Sequence, residues 1–555
     1  MQAERYARLI ERSFSREWLA EYLEQRSTPK PRREPEAYKK NSTAALQPLQ
    51  TKGGLEPYAM PLDRYTARHL LRRVQHGAPF QQVEALVGQS ASVVVDALID
   101  EALALGLPTL PEWHNEAPPR WQDDPDGVIA YFERNFQWFS DWMPVVHQDY
   151  FNGGLRERLT LFWHDHFATQ YDVVEMTVYM RRYIDLLRTH ALGNFKDFVH
   201  AMGIDAAMLI FLDGTLNTRI APNENYAREL LELFTMGIHG PDGSPNYTEA
   251  DIVELARALT GWRVNDYDLT VNFTRAFHDR GEKTVLGRTE PFDYDTVIEW
   301  IFETRANEIA HFICGKLYRA FVYDAPNRDV VNGLAEVFLA NNFEIAPVLR
   351  TLLSSAHFFE AAQMGARIKS PFDHVFGFLK ETETPTTENS FLMAYYSTAV
   401  AGQMLFEPPN VAGWPGHRAW LSTATLPTRW DITDFILWGF DSVEPIDFTD
   451  LAARLVDRTD PEVAFRIPIA LAQFFLTTPL EEIDFETVDN PFNGDLVANP
   501  LPDFVVHGPP YIATLAKRFL FGVPWYEWHL GHDQAPLFLR LFVSYLCSRP
   551  EFQLT

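Results

Sequence analysis

The segment LTLFWHDHFATQ, residues 159–170, carries the side chains best suited to binding a metal or transferring a proton. His164 and His166 flank Asp165, and divalent transition metals commonly use imidazole and carboxylate ligands. Two residues along an α-helix correspond to about 200° of rotation, so only one histidine can face a given ion unless the helix breaks there. The alternative is structural: one imidazole is hydrogen-bonded in the core, and the other faces a partner helix.

A second set of candidates lies on the helix-forming stretch NENYARELLELFTMG, where Arg228 is spaced to pair with Glu224 and Glu232. Each such pair stabilises an isolated helix by only about 0.2–0.5 kcal/mol, so a solvated face is the default interpretation. If the face is buried against polar groups, Glu229 and Glu232 become candidates for binding a metal or holding a histidine tautomer. Arg228 is then a candidate for ligand binding.

The segment FHDRGEKTVLG places three polar side chains where the pattern indicates a loop. His278 and Asp279 are candidates for catalysis, and Lys283 is a candidate for ligand binding. Loops that a rigid scaffold positions often carry binding groups, and the sequence suggests no packing role for this triplet. We therefore expect an exposed polar triplet, with a purely structural role as the alternative.

The segment FEPPNVAGWPGHRAW, residues 406–420, is too rich in proline and glycine to form a helix. Gly413 and Gly416 permit tight turns, and Trp414 and Trp420 supply large flat rings. These rings could stack on a sugar or an aromatic ligand, which makes both tryptophans candidate ligand-binding residues. They could equally fill the core.

The elements that must position these residues are mainly helical. The pattern predicts an N-terminal helix and a polar linker or arm over residues 1–60, followed by one large helical domain over 61–555 with a possible boundary near 380–400. Alternating residues between 263 and 291 indicate one or two short strands or an extended excursion. Long structured loops are expected over 404–430 and 481–504.

Composition limits the classes of function. Hydrophobic residues make up 46% of the 555 residues, enough for a large core, and the formal net charge is −27. Such an acidic surface repels phosphate backbones, so we expect no nucleic-acid binding. The most apolar run, which begins at Ile467, is too short to span a bilayer. The N-terminus lacks the apolar core of a signal peptide, so we expect a cytoplasmic protein, or a periplasmic or extracellular one if a partner carries it.

Nine motifs occur in order along the chain: HLLRRVQHGAPFQQVEAL, FWHDHFATQ, HALGNFKDFVHAMGIDAAMLIFLDG, PNENYARELLELFTMGI, YTEADIVELARALTGW, HDRGEKTVLG, IKSPFDH, FEPPNVAGWPGHRAW and RPEFQL. Together they resemble a bacterial family called domain of unknown function 1800. The resemblance extends over about residues 63–555 and implies a mostly helical bacterial protein. Members are commonly exported and often encoded beside a second uncharacterised exported family, number 1501, which looks sulfatase-like and is therefore a candidate partner. The family supplies no reaction, cofactor or catalytic residue.

Two functional hypotheses follow. The first is an enzyme, a metal-dependent hydrolase or oxidoreductase in which a divalent transition metal activates water or supports redox chemistry. Its metal ligands would be His164, His166, Glu229 and Glu232. The alternative is a non-catalytic scaffold or binding protein that acts with a protein partner or a polysaccharide. A shared cavity lined by these side chains would favour the enzyme, and separate pairing with arginines would favour the scaffold.

Overall fold

A computed structural model describes residues 46–439 and 444–555, and helices dominate both stretches. The predicted mainly α fold class is therefore confirmed. The predicted helix at the N-terminus and most of the predicted polar arm lie outside the described residues. The described end of that arm runs beside residues 354–357, where the Tyr58 N–H donates to the Ser354 carbonyl oxygen at 2.8 Å.

The described residues before the first strand form a succession of helices that begin where the sequence supplies caps. Asp63 and Thr66 form a capping box at the first of them, and Thr248 and Asp251 form one at the last. The elements are α1 (Arg64–Gln75), α2 (Phe80–Leu86), α3 (Ala91–Ala104), α4 (Pro125–Asn152), α5 (Gly154–His166), α6 (Tyr171–Val174), α7 (Thr177–His190), α8 (Phe195–Gly203), α9 (Ala206–Phe211), α10 (Asn225–Glu229), which continues as a π-helix (Leu230–Thr235), and α11 (Glu249–Ala258).

Two short antiparallel hairpins follow, in the region where the alternating pattern predicts strands. In the first, β1 (Trp262–Asn265) pairs with β2 (Thr270–Phe273). In the second, β3 (Lys283–Val285) pairs with β4 (Arg288–Glu290). The predicted β excursion is thus confirmed, but it contains four strands where the alternating pattern indicated one or two.

The remainder of the described chain is again helical, with loops between the helices. The loops predicted over 404–430 and 481–504 end earlier than expected, because helices begin at Thr425 and at Asp503. Both cysteines lie in this half, and both are buried and free. The elements are α12 (Tyr294–Thr304), α13 (Ala306–Phe321), α14 (Arg328–Ala340), α15 (Ile345–Leu353), α16 (Pro371–Glu381), α17 (Glu388–Val400), α18 (Thr425–Trp438), α19 (Thr449–Leu455), α20 (Val463–Phe475), α21 (Asp503–Val506), α22 (Pro510–Leu520) and α23 (Ala535–Cys547).

One hydrophobic core runs through most of these elements. Its buried side chains extend along the chain from Leu62 to Phe552, and a small second cluster lies around Phe465 and Ile512. Helix α17 crosses the boundary suggested near 380–400 and packs along α4. In the described stretches, no helix combines the length and the apolar character needed to cross a bilayer.

Candidate functional site

His164, near the end of α5, is a buried histidine whose two ring nitrogens are both used inside the protein. The Tyr183 hydroxyl donates to the Phe167 carbonyl oxygen at 2.8 Å, so it accepts from His164 Nδ1 at 2.9 Å. Nε2 accepts the Phe406 N–H at 3.1 Å. Burial lowers the pKa of His164 to about 3, so the ring is neutral near pH 7. This arrangement leaves no lone pair for a metal.

His166 points to different partners, as the rotation along a helix requires. Its Nε2–H donates to the Phe234 carbonyl oxygen at 3.0 Å, and its Nδ1 accepts from Lys316 Nζ at 2.9 Å. Burial, together with the charge of Lys316, holds the pKa of His166 well below its usual value. His166 is therefore also a neutral structural group, and it positions the ammonium group of a lysine on α13.

The π-helix that continues α10 supplies the carbonyl oxygens at this point. Lys316 Nζ donates to the Leu233 carbonyl oxygen at 3.1 Å, next to the Phe234 carbonyl that His166 binds. A π-helix pairs each carbonyl with the N–H five residues later, and π-bulges within α-helices occur frequently at functional sites. The wider turn brings two neighbouring carbonyl groups to the side chains of α5 and α13.

Asp165 lies between the two histidines and contacts the loop 406–420. Its Oδ1 accepts the Trp414 N–H at 2.6 Å, and a Cβ at Gly413 would collide with the same carboxylate. Gly413 also has a φ of +81°, so both the backbone conformation and the close approach require glycine there. In the described part of the chain, no hydrogen-bond donor reaches Asp165 Oδ2.

Asp165 and Lys316 are both half-buried, and each alters the ionisation of the other. Burial raises the pKa of Asp165 to about 6, although the Trp414 N–H and the charge of Lys316 oppose the rise. Burial likewise lowers the pKa of Lys316 to about 8, and the charge of Asp165 opposes that fall. Perturbed pairs of this kind cluster at active sites, although structural ion pairs also produce them.

The loop 406–420 is held rigidly against α5 and α6. The Tyr171 N–H donates to the Phe406 carbonyl oxygen at 2.9 Å, and the Asp172 N–H donates to Glu407 Oε1 at 2.9 Å. Phe406 has a φ of +64°, a left-handed conformation that is uncommon for a phenylalanine. Strained backbone of this kind persists only where the surroundings fix it, and it is frequent at functional sites.

Glu229 and Glu232 do not join the histidines. Within the described residues, no hydrogen bond or ion pair links either carboxylate to His164 or His166. Glu232 accepts a hydrogen bond from the Tyr247 hydroxyl at 3.3 Å. Glu229 is half-buried, and burial followed by repulsion from Glu232 raises its pKa to about 7.

Arg228, predicted to bind a ligand, is instead occupied by carboxylates of the chain. It donates to Glu249 through Nη1 at 2.9 Å and Nη2 at 2.8 Å, and it also pairs with Glu224. In the described part of the chain, no three or more His, Cys, Asp and Glu side chains are grouped so that they could hold a metal ion. The predicted metal centre therefore has no support in this arrangement.

His278, Asp279 and Lys283 form a separate group beside β3. The His278 ring donates from Nδ1 to the Thr260 carbonyl oxygen at 3.0 Å, Asp279 pairs with Arg257 at 2.8 Å, and Lys283 Nζ donates to two backbone carbonyls. The expectation of an exposed triplet is wrong for His278 and Lys283, which are buried. Backbone carbonyl oxygens accept hydrogen bonds from His278 Nδ1 and from Lys283 Nζ. The sequence alone could not show these contacts.

Trp414 and Trp420 are also buried. The Trp414 ring packs edge-on against the His164 ring, with 5.4 Å between the ring centroids. Neither indole presents an open face on which a sugar could stack. The structure thus agrees with the alternative that these rings fill the core.

Lys316 is the functional candidate that sequence reasoning missed. The signal was present: in the segment FICGKLY a lysine interrupts an otherwise apolar stretch of helix. Such a lysine is ordinarily assigned to a solvated face, because a lysine is rarely buried without a partner. Only the folded chain shows that it bonds to His166 and lies near enough to Asp165 for each charge to shift the pKa of the other group.

The comparisons with known proteins identify one family. A family model described as "Protein of unknown function (DUF1800)" matches residues 69–554. No curated protein and no solved structure matches the chain.

Proposed function

Because the chain belongs to the family of proteins of unknown function called DUF1800, we propose its function from its own geometry: an enzyme that performs acid–base catalysis with Asp165 and Lys316. The observation that carries the proposal is the position of this pair. A half-buried carboxylate and a half-buried ammonium influence the pKa of each other, with values of about 6 and about 8, and His166 and Asp165 bring three segments of the family resemblance together beside them.

The two ionisation states suit hydrolysis near neutral pH. Between about pH 6 and pH 8, Asp165 is ionised and Lys316 is protonated. Asp165 can then accept a proton from a water molecule while the oxygen of that water forms a bond to the substrate. Lys316 gives a proton to the leaving group while the bond between the leaving group and the substrate breaks. A proton returned from Asp165 to Lys316 restores the starting state. We therefore assign the reaction class as hydrolysis of a polar substrate.

The surrounding structure supports this assignment because it fixes both groups. Lys316 Nζ uses two of its protons on His166 and the Leu233 carbonyl oxygen, which leaves one for a substrate. Asp165 Oδ2 has no donor among the described residues. Catalytic groups held in place by hydrogen bonds need little reorganisation during the reaction.

A substrate panel tests the proposal. Hydrolysis of p-nitrophenyl acetate, phosphate, sulfate and β-glucoside is measured as a function of pH. We expect a bell-shaped rate, rising through about pH 6 as Asp165 ionises and falling above about pH 8 as Lys316 loses its proton. Asp165→Asn and Lys316→Met should each lower kcat about 100-fold. Asp197→Asn and Lys196→Met, the same changes on α8, serve as controls.

Competitive labelling with acetic anhydride supplies a readout that needs no substrate. Peptide mass spectrometry follows the reactivity of Lys316 against pH, and its midpoint is expected near 8. Asp165→Asn should lower this midpoint further, because it removes the negative charge that stabilises the ammonium. A midpoint unaffected by Asp165→Asn, with rates equal to those of the control variants, would show that the pair is structural.

A second candidate function, partner binding, is favoured by an exposed apolar stripe formed by α4 and by Trp121, which precedes that helix. Trp121, Ile129, Phe132 and Phe136 are 56%, 53%, 42% and 46% exposed, and the last three share one helix face. Exposed patches of this kind mark interaction sites in many proteins. We propose that a protein partner covers the stripe, the exported sulfatase-like family 1501 being the partner that the resemblance suggests.

The partner proposal is tested by co-purification of the two proteins. Phe132→Ser combined with Phe136→Ser should weaken the complex at least about 10-fold, because it removes two apolar anchors. Ile220→Ser, at a single exposed apolar residue elsewhere, is the matched control. If the double variant and the wild-type protein form the complex equally well, the stripe is excluded as the contact.

A further inference from the structure

A cavity of about 600 Å³ lies in the C-terminal part of the described chain, apart from Asp165 and Lys316. The segment 488–493 forms one wall, and residues 517–523 together with α23 form the others. Its volume is within the range of small-molecule sites, roughly 300–1,000 Å³. Helices α22 and α23 pack on each other, so the walls are supported by regular structure.

The charge of this cavity is opposite to that of the whole molecule. Lys517 and Arg518 line it, and none of its lining residues is an aspartate or a glutamate. The chain as a whole carries 75 acidic and 48 basic residues, so a cavity whose charged lining side chains are all basic differs in sign from the net charge of the protein. Such a cavity attracts anions in an otherwise repulsive field.

The two cations are held differently. Arg518 pairs with Glu486 at 3.0 Å, outside the cavity lining. Lys517 Nζ donates to the Val488 carbonyl oxygen at 3.2 Å, and no carboxylate among the described residues forms an ion pair with it. The positive charge of Lys517 is therefore available to a ligand.

Aromatic side chains form part of the remaining wall. Phe492, Phe521 and Tyr545 all line the cavity. The Lys517 ammonium lies 5.3 Å from the centroid of Phe492, and the Arg518 guanidinium lies 4.5 Å from that of Tyr545. Aromatic walls favour a planar apolar body, because ring faces and edges pack well against another ring.

Two polar atoms of the cavity residues also lack hydrogen-bond partners. Tyr545 Oη and Arg518 Nε are buried, and neither has a partner among the described residues. Buried donors without partners are uncommon in folded proteins. Both side chains therefore have unused hydrogen-bonding capacity at the wall of the cavity.

We propose that this cavity is a binding site for a small aromatic anion, a planar ring that bears a carboxylate or sulfonate group. Lys517 binds the anionic group, and Phe492, Phe521 and Tyr545 surround the ring. The site is independent of the acid–base pair, because none of its lining residues belongs to the segments that hold Asp165 and Lys316.

Isothermal titration calorimetry on the full chain tests the site with two probes of one shape. Naphthalene-2-sulfonate carries the charge, and naphthalene-2-sulfonamide is its neutral counterpart. We expect the anion to bind about 10-fold more tightly, the gain typical of a hydrogen bond to a charged group. The affinity of the anion should fall with added salt, and that of the neutral probe should not.

The variant Lys517→Met keeps the apolar stem of the side chain and removes its charge. It should weaken naphthalene-2-sulfonate about 10-fold and leave the sulfonamide unchanged. Lys196→Met, which removes a cation on α8, is the matched control. Equal affinity for the two probes, or saturable binding absent up to about 10 mM, would overturn the proposal. If Lys517→Met fails to fold, the salt dependence of the wild-type protein decides in the same way.

Discussion

At residues 164 to 166, three adjacent side chains have different roles because each meets different partners. His164 joins the Tyr183 hydroxyl to the Phe406 N–H, and His166 joins a carbonyl oxygen to Lys316. Asp165 lies between them, and its Oδ2 receives no hydrogen bond from the described residues. The residue types indicated chemistry here, but the partners decide which of the three groups can perform it.

The structural role of His164 predicts a loss of stability. His164→Ala leaves the buried Phe406 N–H without its partner, removes a hydrogen bond to the Tyr183 hydroxyl and creates a cavity, so the free energy of unfolding should fall by about 3 kcal/mol. Urea denaturation measures it. His200→Ala, which removes an exposed histidine paired with Asp295, should change stability by less than about 0.5 kcal/mol. If His164 instead held a metal, adding the ion would raise the Tm of the wild-type protein.

The raised pKa of Glu229 predicts that the contribution of this residue to stability falls as the pH rises. Its pKa is raised in the folded protein from 4.5 to about 7, so the folded state binds this proton more tightly than the unfolded state does. Its contribution to stability is therefore present at low pH and lost as the pH rises from about 4.5 to about 7.

Glu229→Gln should accordingly match the wild-type protein in stability at pH 4 and exceed it at pH 8, because glutamine carries no charge to bury. Thermal unfolding at the two pH values measures the difference. Glu249→Gln on the exposed partner of Arg228 is the control, and its effect should have the reverse sign, since its pKa is lowered. A stability difference for Glu229→Gln that does not grow with pH would contradict the assignment.

At the scale of elements, the loop 406–420 and the π-helix after α10 set the geometry around Asp165. Neither is regular α-helix, and each supplies backbone groups to side chains from α5 and α13. Backbone groups freed from regular pairing must find other partners when they are buried. The irregular elements are therefore the ones that join the helices at this site.

Two glycines of the loop allow its close packing to be measured. Gly413 and Gly416 both have positive φ, but a Cβ at Gly413 meets Asp165, and one at Gly416 meets nothing within 4 Å. Gly416→Ala should cost about 1 kcal/mol through backbone strain alone. Gly413→Ala should cost about 3 kcal/mol, because the collision adds to the strain. Chemical denaturation compares the two, and equal losses would show that the loop moves away from Asp165 freely.

At the scale of the whole molecule, the formal net charge of −27 opposes compaction. Self-repulsion of this size is screened by salt, since the Debye length falls from about 30 Å at 0.01 M to about 10 Å at 0.1 M. Raising the concentration of NaCl over this range should raise the Tm in scanning calorimetry. Isosmotic sucrose is the control for effects other than screening. A Tm that falls with NaCl would mean that the ion pairs contribute more to stability than the net repulsion removes.

The sequence by itself determined the fold class, the place of the β excursion and the family, but not that the excursion forms two hairpins. Helical periodicity, capping residues and alternating strands are local patterns, and local backbone preferences act over a few residues whatever lies elsewhere in the chain. The family motifs are also readable directly, since they are runs of residue types. Helix geometry is also local, so the sequence alone predicted that His164 and His166 point to different sides of their helix.

The tertiary structure alone decided which polar groups are structural and which could react. Lys316 bonds to His166, 150 residues away in the chain. The pKa of Lys316 and that of Asp165 depend on burial and on the charge that each places near the other. His278 and Lys283, which look like loop residues in the sequence, are buried on backbone carbonyls for the same reason. Burial and long-range contact are properties of the folded chain, and no local pattern carries them.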